Sequence, residues 1–330
     1  MPYRLKRAVS RAAVLASATV LALPLAASAT DAPVTKRKAK TTHAVRTWRS
    51  GVFTSSSVSA SALQAWASYR GRAIDVASAF VQWDTWDQIA SDTWPERAFA
   101  SMPRARLAVG VPLLPRQNGG TLADVAAGKH DAEFAAFAHN LVNGGRSGSI
   151  VRLGWEFDGD WVPWAAYDPA TYKAAFRHVV GVIRSIAPRV AIDWCGNLGG
   201  THVGHDEFTE LYPGDDVVDI VGVDAYDRQW NPVTNAATWK HYVTMSHGLD
   251  AWRTFAVRHH KKLSIPEWGL YATETGDAAY YVQRMHSYFA NHAAQIAYES
   301  YFNDPDSFIR NSLLGPNQNP RASATYASLW

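Results

Sequence analysis

The sequence lacks the features that would fix a fold covalently or bind a phosphate group. It contains one cysteine, Cys195, so no intrachain disulfide bond can form. No GxGxxG or GxxxxGKS/T segment follows any of its apolar runs, so the usual nucleotide-binding signals are missing. Only 18% of the 330 residues are charged and 47% are hydrophobic, which excludes a disordered chain. A large hydrophobic core must therefore stabilise the protein, and we expect Cys195 to be buried in it.

Basic charge is concentrated at the N-terminus. Residues 1–29 combine a basic start, an apolar stretch and a small-residue cleavage site, and they predict a secretory signal peptide. An uncleaved signal anchor is the alternative. Residues 30–43 are polar, basic and aperiodic, and they predict a disordered spacer suited to weak attachment to an anionic cell surface. Residues 44–330 then carry 24 Lys and Arg against 28 Asp and Glu, so we expect a secreted protein that does not bind nucleic acid.

Short apolar segments alternate with segments of helical periodicity throughout residues 44–330. Eight strands are predicted, at 45–53, 73–81, 106–111, 150–153, 189–194, 217–223, 262–265 and 295–302. In this order and length they fit a single-domain α/β protein, a (β/α)8 TIM barrel. An open doubly wound sheet is the alternative, but its Gly-rich phosphate-binding turn is missing.

Polar and aromatic residues directly follow most of the predicted strands. They are Trp83, Glu156, Asn197, Tyr226, Glu267 and Asn303. A barrel brings these positions together at its C-terminal face, where active sites lie. The pattern therefore predicts one catalytic or binding cleft at that face.

The segment Ile150–Trp164, IVRLGWEFDGDWVPW, carries the clearest chemical signal. Glu156 follows a buried strand, and burial raises the pKa of a carboxyl so that it can donate a proton near neutral pH. The neighbouring indoles offer flat apolar faces to a sugar ring, and Asp158 could bind hydroxyls. The alternative is a structural glutamate that caps the loop or pairs with Arg152.

Glu267 follows the seventh predicted strand, within the sequence PEWG. A barrel places the ends of strands four and seven on opposite sides of one pocket. Two facing carboxyls are the minimal machinery for breaking a glycosidic bond, because one protonates the leaving oxygen while the other attacks the anomeric carbon or activates water. Glu156 and Glu267 are therefore the predicted catalytic pair. An ion pair of Glu267 with Lys261 or Lys262 is the alternative.

The motif WEFDGDWVPW resembles the strand-four motif of glycoside hydrolase family 26, a clan A barrel family known for secreted bacterial β-mannanases, and PEWG resembles its strand-seven motif. The resemblance implies that Glu156 is the acid/base and Glu267 the nucleophile of a retaining reaction without cofactor or metal. It also implies that Tyr226 hydrogen-bonds the nucleophile. Trp155 stands where the family usually has His, and Asp158 where it usually has Asn. Both are expected to touch the sugar and to affect which glycan is bound.

The remaining predicted site residues also lie near strand ends. They are the sugar platforms Trp161, Trp164, Trp230 and Trp268, the strand residue Arg152, expected to pair with a catalytic carboxylate, and Asn197. The segment 199–207, GGTHVGHDE, has two histidines and two acidic residues, but their spacing matches no known zinc pattern. We interpret it as a solvated loop or a wall of the cleft.

The sequence thus predicts a monomeric, endo-acting β-glycan hydrolase of the β-mannanase type, with a polysaccharide or oligosaccharide as substrate. It does not choose among β-mannan, β-1,3-xylan, mixed-linkage glucan and an exopolysaccharide. Three alternatives stay open: a hydrolase of another clan A family, a non-catalytic glycan-binding protein, and a metal-dependent polysaccharide deacetylase.

Overall fold

The computed structural model describes residues 48–54, 59–306 and 308–330, in which eight parallel strands close into a barrel in chain order. The strands are β1 (Arg49–Thr54), β2 (Val76–Phe80), β3 (Arg106–Val111), β4 (Ile150–Leu153), β5 (Ala191–Asn197), β6 (Ile220–Asp227), β7 (Lys262–Leu270) and β8 (Ile296–Asn303). The predicted TIM barrel is confirmed. The predicted signal peptide and spacer lie outside the described residues.

Helices connect the strands on the outside of the barrel. They are α1 (Ala60–Arg70), α2 (Trp86–Ser91), α3 (Trp94–Ala98), α4 (Leu122–Ala126), α5 (Asp131–Asn143), α6 (Pro169–Ile186), α7 (Ala236–Thr244), α8 (Leu249–Arg258), α9 (Ala272–Thr275), α10 (Ala279–Asn291) and α11 (Pro320–Leu329), with a π-helical turn at Glu207–Leu211 and a 3₁₀ turn at Ala293–Gln295. Within the described ranges, none of these helices is both long and apolar enough to span a bilayer.

Local sequence explains where several elements begin and end. Asp168 caps α6, because its Oδ1 accepts a hydrogen bond from the Ala170 N–H, and Pro169 occupies the first helical position. The sequence predicts a single helix around residues 239–259, but two helices form there. Met245, with φ −61° and ψ 165°, has an extended backbone that ends α7, and His247, with φ 55°, lies in the left-handed region between α7 and α8.

Three strands extend further than their apolar segments predict. β5, β6 and β7 run through Asn197, Asp227 and Leu270, because backbone pairing continues across polar residues and a proline that interrupt the apolar pattern. β4 spans Ile150–Leu153, as its apolar run predicts, and Glu156 lies in the turn that follows it, three residues beyond the strand end.

The barrel interior becomes polar towards the C-terminal ends of the strands. An apolar cluster fills the N-terminal end, formed by Val76, Ala108, Ile150, Ile220 and Tyr298. Above it, the fully buried Asp193 accepts hydrogen bonds from Ser264 Oγ (2.8 Å) and Tyr298 OH (2.6 Å), and burial raises the pKa of Asp193 to about 6. Cys195 is buried, as predicted, and burial raises the pKa of its thiol well above the ordinary value. This polar interior supports the site described next.

Candidate active site

A β-bulge in β7 aims Glu267 into the barrel. Between the paired positions Ser264 and Trp268, β7 has one residue more than the facing part of β6, and the pairing with β8 shifts at the same place. Pro266 lies within this interval, where its missing N–H costs no ladder hydrogen bond. Side chains along a regular strand alternate between faces, so the extra residue lets both Ser264 and Glu267 face inward.

Both carboxylate oxygens of Glu267 accept hydrogen bonds. Arg152 Nη1 donates to Oε1 at 2.9 Å, and Tyr226 OH donates to Oε2 at 2.9 Å. The side chains of Arg152 and Glu267 are 1% and 10% exposed, so water screens this ion pair little. Burial and the nearby charge of Glu267 raise the pKa of Tyr226 well above its ordinary value, which keeps its hydroxyl a donor. The two donors fix the orientation of the Glu267 side chain.

Asp224 completes the support of Glu267, and sequence analysis did not single it out. Its Oδ1 accepts the backbone N–H of Glu267 at 3.1 Å, and its Oδ2 accepts Arg152 Nη2 at 2.8 Å. Asp224 and Tyr226 are two residues apart on β6 and therefore share the inward face. That two-residue spacing of polar groups within an apolar strand was the signal that could have identified Asp224.

Glu156 lies in the turn after β4 with a left-handed backbone, φ 53°. Its N–H donates to the Cys195 carbonyl of β5 at 2.8 Å, and its own carbonyl accepts the Gly159 N–H at 2.9 Å. Such a conformation costs a non-glycine residue about 1–2 kcal/mol, and strain of this kind concentrates at functional sites. The surrounding backbone bonds hold the strained turn in place.

The carboxyl of Glu156 is surrounded very differently from that of Glu267. It accepts one hydrogen bond, at Oε2 from Trp161 Nε1 at 2.8 Å. Burial raises the pKa of Glu156 to about 8, the negative charge of Glu267 adds to this, and the Trp161 bond opposes it. Glu156 is therefore protonated at neutral pH beside a carboxylate, which suits it to donate a proton.

The four predicted sugar platforms divide into two pairs. Trp161 and Trp230 are 47% and 55% exposed, so their rings are accessible to a ligand. Trp164 and Trp268 are fully buried, and the structure does not support them as platforms. The Trp164 ring packs against Trp155, and the Trp268 ring lies outside the barrel against α10 and α11.

Trp155 belongs to a continuous aromatic surface at the C-terminal ends of β1, β2 and β8. We call this surface the aromatic arc; it consists of Phe53, Phe80, Trp155 and Phe302. Ring centroids are 4.9 Å apart for Phe80 and Trp155, 5.3 Å for Phe53 and Phe80, and 4.5 Å for Phe53 and Phe302. Trp155 is only 7% exposed, so it offers little of its ring surface to a ligand. This side of the cleft is apolar.

Asp158 is fully buried, so the direct sugar contact expected for it is not supported. Its two oxygens accept the backbone N–H and the Nδ2–H of Asn197, at 2.8 and 2.9 Å, which orients the partly exposed Asn197 amide. Asp158 lies next to Glu207, which is equally buried. Burial raises the pKa of Asp158 well above its ordinary value and that of Glu207 to about 7, so we expect the two carboxyls to hold one proton between them at neutral pH.

His247 extends this buried pair towards the surface. Its Nε2 lies 3.0 Å from Glu207 Oε2 and 3.1 Å from Asp206 Oδ2, and the ligand atoms of the three residues are within 4.8 Å of one another. We interpret the group as a cluster of polar side chains rather than a metal site, because His247 Nε2 is hydrogen-bonded to Asp206 and in contact with Glu207. The two histidines of segment 199–207 are not part of it. No local sequence signal connects that segment with His247, which lies between two helices.

Comparisons with known proteins agree with this geometry. A family model described as glycosyl hydrolase family 26 matches residues 131–292, which include both Glu156 and Glu267. Endoglucanase H of Acetivibrio thermocellus is 28% identical over 54% of this chain and 19% of its own length. The β-1,3-xylanase TXYA of a Vibrio species is 30% identical over 42% of this chain and 29% of its own length. The matches thus span less than a third of these relatives.

A solved structure shows the same fold. The GH26 domain of an endo-β-mannanase/endo-β-glucanase from Prevotella bryantii superposes with a TM-score of 0.57, at 15% identity, over 85% of this chain and 89% of that domain. At this identity the likeness concerns the fold. The family match carries the assignment instead: residues 131–292, the segment that holds the two carboxyls, match glycosyl hydrolase family 26, and the chain is a glycoside hydrolase similar to that family.

Proposed function

We propose that the protein is a retaining, endo-acting β-glycan hydrolase with Glu156 as general acid/base and Glu267 as nucleophile. The observation that carries this proposal is that the two carboxyls of the cleft, Glu156 and Glu267, have different surroundings. Glu267 is held as a carboxylate by Arg152 and Tyr226, while burial raises the pKa of Glu156 to about 8. One ionised and one protonated carboxyl are the two states that the first step of glycosidic cleavage requires.

The reaction takes two displacements. In the first, a Glu267 oxygen bonds to the anomeric carbon, the glycosidic C–O bond breaks, and Glu156 gives its proton to the leaving oxygen. In the second, Glu156 takes a proton from water, the water oxygen bonds to the anomeric carbon, and Glu267 leaves as a carboxylate. The Trp161 indole donates to Glu156 and so stabilises the carboxylate that Glu156 becomes between the two steps.

The substrate class rests on the cleft and on relatives of different specificity. Exposed Trp161 and Trp230 can stack on sugar rings, and the aromatic arc favours contact with C–H faces over hydroxyls. The relatives are an endoglucanase and a β-1,3-xylanase, and the structural neighbour is an endo-β-mannanase/endo-β-glucanase. We propose a β-glycan as substrate, with β-mannan, β-1,3-xylan, mixed-linkage glucan and exopolysaccharides as the polymers to compare.

A screen of purified protein on these polymers, beside Glu267→Ala, tests the proposal. We expect the wild type to release reducing ends from one polymer, to lower its viscosity early, and to form a first product that retains the β-configuration by proton NMR. Glu267→Ala should release none. If neither protein releases sugar but affinity electrophoresis shows retention by a glycan, the protein is a binding protein. Loss of wild-type activity with a chelator would instead favour a metal-dependent reaction.

We also propose that the protein is exported and acts as a monomer. Residues 1–29 and 30–43 support a cleaved signal peptide followed by a basic spacer. N-terminal sequencing of the exported protein should begin at Thr30, and size-exclusion chromatography should give the mass of one chain. An intact N-terminus in the membrane fraction would instead indicate a signal anchor. Cell-surface binding that salt abolishes would support the role of the spacer.

A further inference from the structure

β8 carries a fully buried carboxylate on the outer side of the barrel. Tyr298 and Ser300 bond to groups inside the barrel, so Glu299 between them faces the surrounding helices. Its Oε2 accepts a hydrogen bond from Trp268 Nε1 at 2.6 Å, and its Oε1 accepts one from Trp330 Nε1 at 2.9 Å. Burying a carboxylate costs free energy of folding. A buried carboxylate close to the site therefore calls for a functional explanation.

The Trp268 indole connects this carboxylate to the β7 bulge. Trp268 follows Glu267 directly, and its pairing with Tyr301 of β8 marks the point where the regular register resumes. On the inner face of the same segment, Asp224 Oδ1 accepts the Glu267 N–H at 3.1 Å. The bulge is therefore held from both sides, by Asp224 inside the barrel and by Glu299 outside it.

Trp330 provides an internal comparison. It donates the same kind of bond to the same carboxylate, and its ring stacks on Trp268 with centroids 5.3 Å apart and on Tyr326 with centroids 4.3 Å apart. Unlike Trp268, it is far along the chain from Glu267. Loss of either indole N–H leaves one buried oxygen of Glu299 without a donor. Only loss of the Trp268 N–H also frees the β7 bulge, because Trp268 is part of that segment and Trp330 is not.

We propose that Glu299 is a positioning residue for Glu267: by tethering the Trp268 indole it fixes the β7 bulge and hence the direction of the nucleophile. This inference rests on the proposed function, because that function gives Glu267 its role. A carboxylate displaced by about 1 Å from its line of attack can lose roughly 100-fold in rate. Glu299 does not contact substrate and acts through Trp268.

The matched variants Trp268→Phe and Trp330→Phe test the inference, since each removes one indole N–H and keeps an aromatic ring. We expect Trp268→Phe to lower kcat roughly 10- to 100-fold with KM changed less than about twofold, because orientation rather than binding is lost. Trp330→Phe should lower Tm and leave kcat within about twofold of the wild type. Glu299→Gln, which keeps one acceptor oxygen, should lower kcat less than Glu299→Leu, which keeps none. Equal kcat values across all four variants would overturn the inference.

Hydrogen exchange of the peptide covering residues 262–270 separates this inference from the proposed function, because it needs no turnover. Trp268→Phe and Glu299→Leu should speed exchange at the Glu267 amide, and Trp330→Phe should not. An inactive wild type with this exchange pattern would overturn the proposed hydrolase but leave the tether in place. An active wild type in which Trp330→Phe loosens β7 as much as Trp268→Phe does would overturn the tether alone.

Discussion

Glu156 and Glu267 lie in the same cleft, but their surroundings differ in the number and kind of hydrogen-bond donors. Glu267 accepts a guanidinium N–H and a phenol O–H, and its backbone is fixed by a bulge. Glu156 accepts one indole N–H and lies on a strained turn. Two identical side chains thus have different environments, and burial raises the pKa of Glu156 to about 8. In the proposed function, this difference lets one site supply both an acid and a nucleophile.

Removing Glu267 should have the largest effect. Glu267→Ala deletes the group that bonds to the anomeric carbon, so we expect kcat on the preferred glycan to fall by roughly 10³-fold or more. With an activated aryl glycoside, added azide should restore turnover and give a glycosyl azide of the α-configuration, because azide then attacks from the face that Glu267 occupied. A β-azide from this variant would contradict the assignment of Glu267.

Removing the proton of Glu156 should have a large effect that depends on the leaving group. Glu156→Gln keeps the shape but cannot donate its proton to oxygen, so we expect kcat on the polysaccharide to fall roughly 10²- to 10⁴-fold. An aryl glycoside with an acidic phenol leaves without protonation, and its first step should be nearly unchanged in a burst measurement. An equal loss on both substrates would assign Glu156 a structural role.

The pH dependence of kcat/KM should report the raised pKa of Glu156. Activity should fall as pH rises through about 8, where Glu156 loses the proton it must donate. Trp161→Phe removes the donor that favours the ionised form, so the pKa of Glu156 should rise and the alkaline limb should move to higher pH. Trp230→Phe, which alters an equally exposed indole, is the control and should leave that limb in place. If the alkaline limb of the Trp161→Phe profile stays at the wild-type pH, the limb does not report the ionisation of Glu156.

The sequence predicts the barrel well because each strand has an apolar run. It predicts side-chain direction less well near the site. PEWG gives no sign of the β7 bulge, which depends on pairing with both neighbouring strands and leaves Trp268 outside the barrel. Asp158 appears available for sugar in the sequence, yet Asn197 and Glu207, distant along the chain, enclose it. Alternation is a local property, whereas bulges and buried polar pairs are properties of the assembled barrel.

The smallest expected effect concerns the proton shared by Asp158 and Glu207 on the Glu156 side of the cleft. The pKa of Glu207 is raised to about 7 in the folded protein, against about 4.3 for an unperturbed glutamate. Between these values the folded chain holds a proton that the unfolded chain has released, so the free energy of unfolding should fall as pH rises from about 4 to 7.

Glu207→Gln removes this titration while an amide N–H can still donate to Asp158. Its Tm should therefore decline less than that of the wild type over the same pH range, by a difference of roughly a few degrees. Differential scanning calorimetry at several pH values measures this, with Glu210→Gln as the control because Glu210 is exposed. Parallel Tm curves for wild type and Glu207→Gln would mean that the pair does not share a proton. The Asp158–Glu207 pair near Glu156 would then carry two negative charges rather than one. The difference between the surroundings of Glu156 and Glu267 would need a different electrostatic explanation.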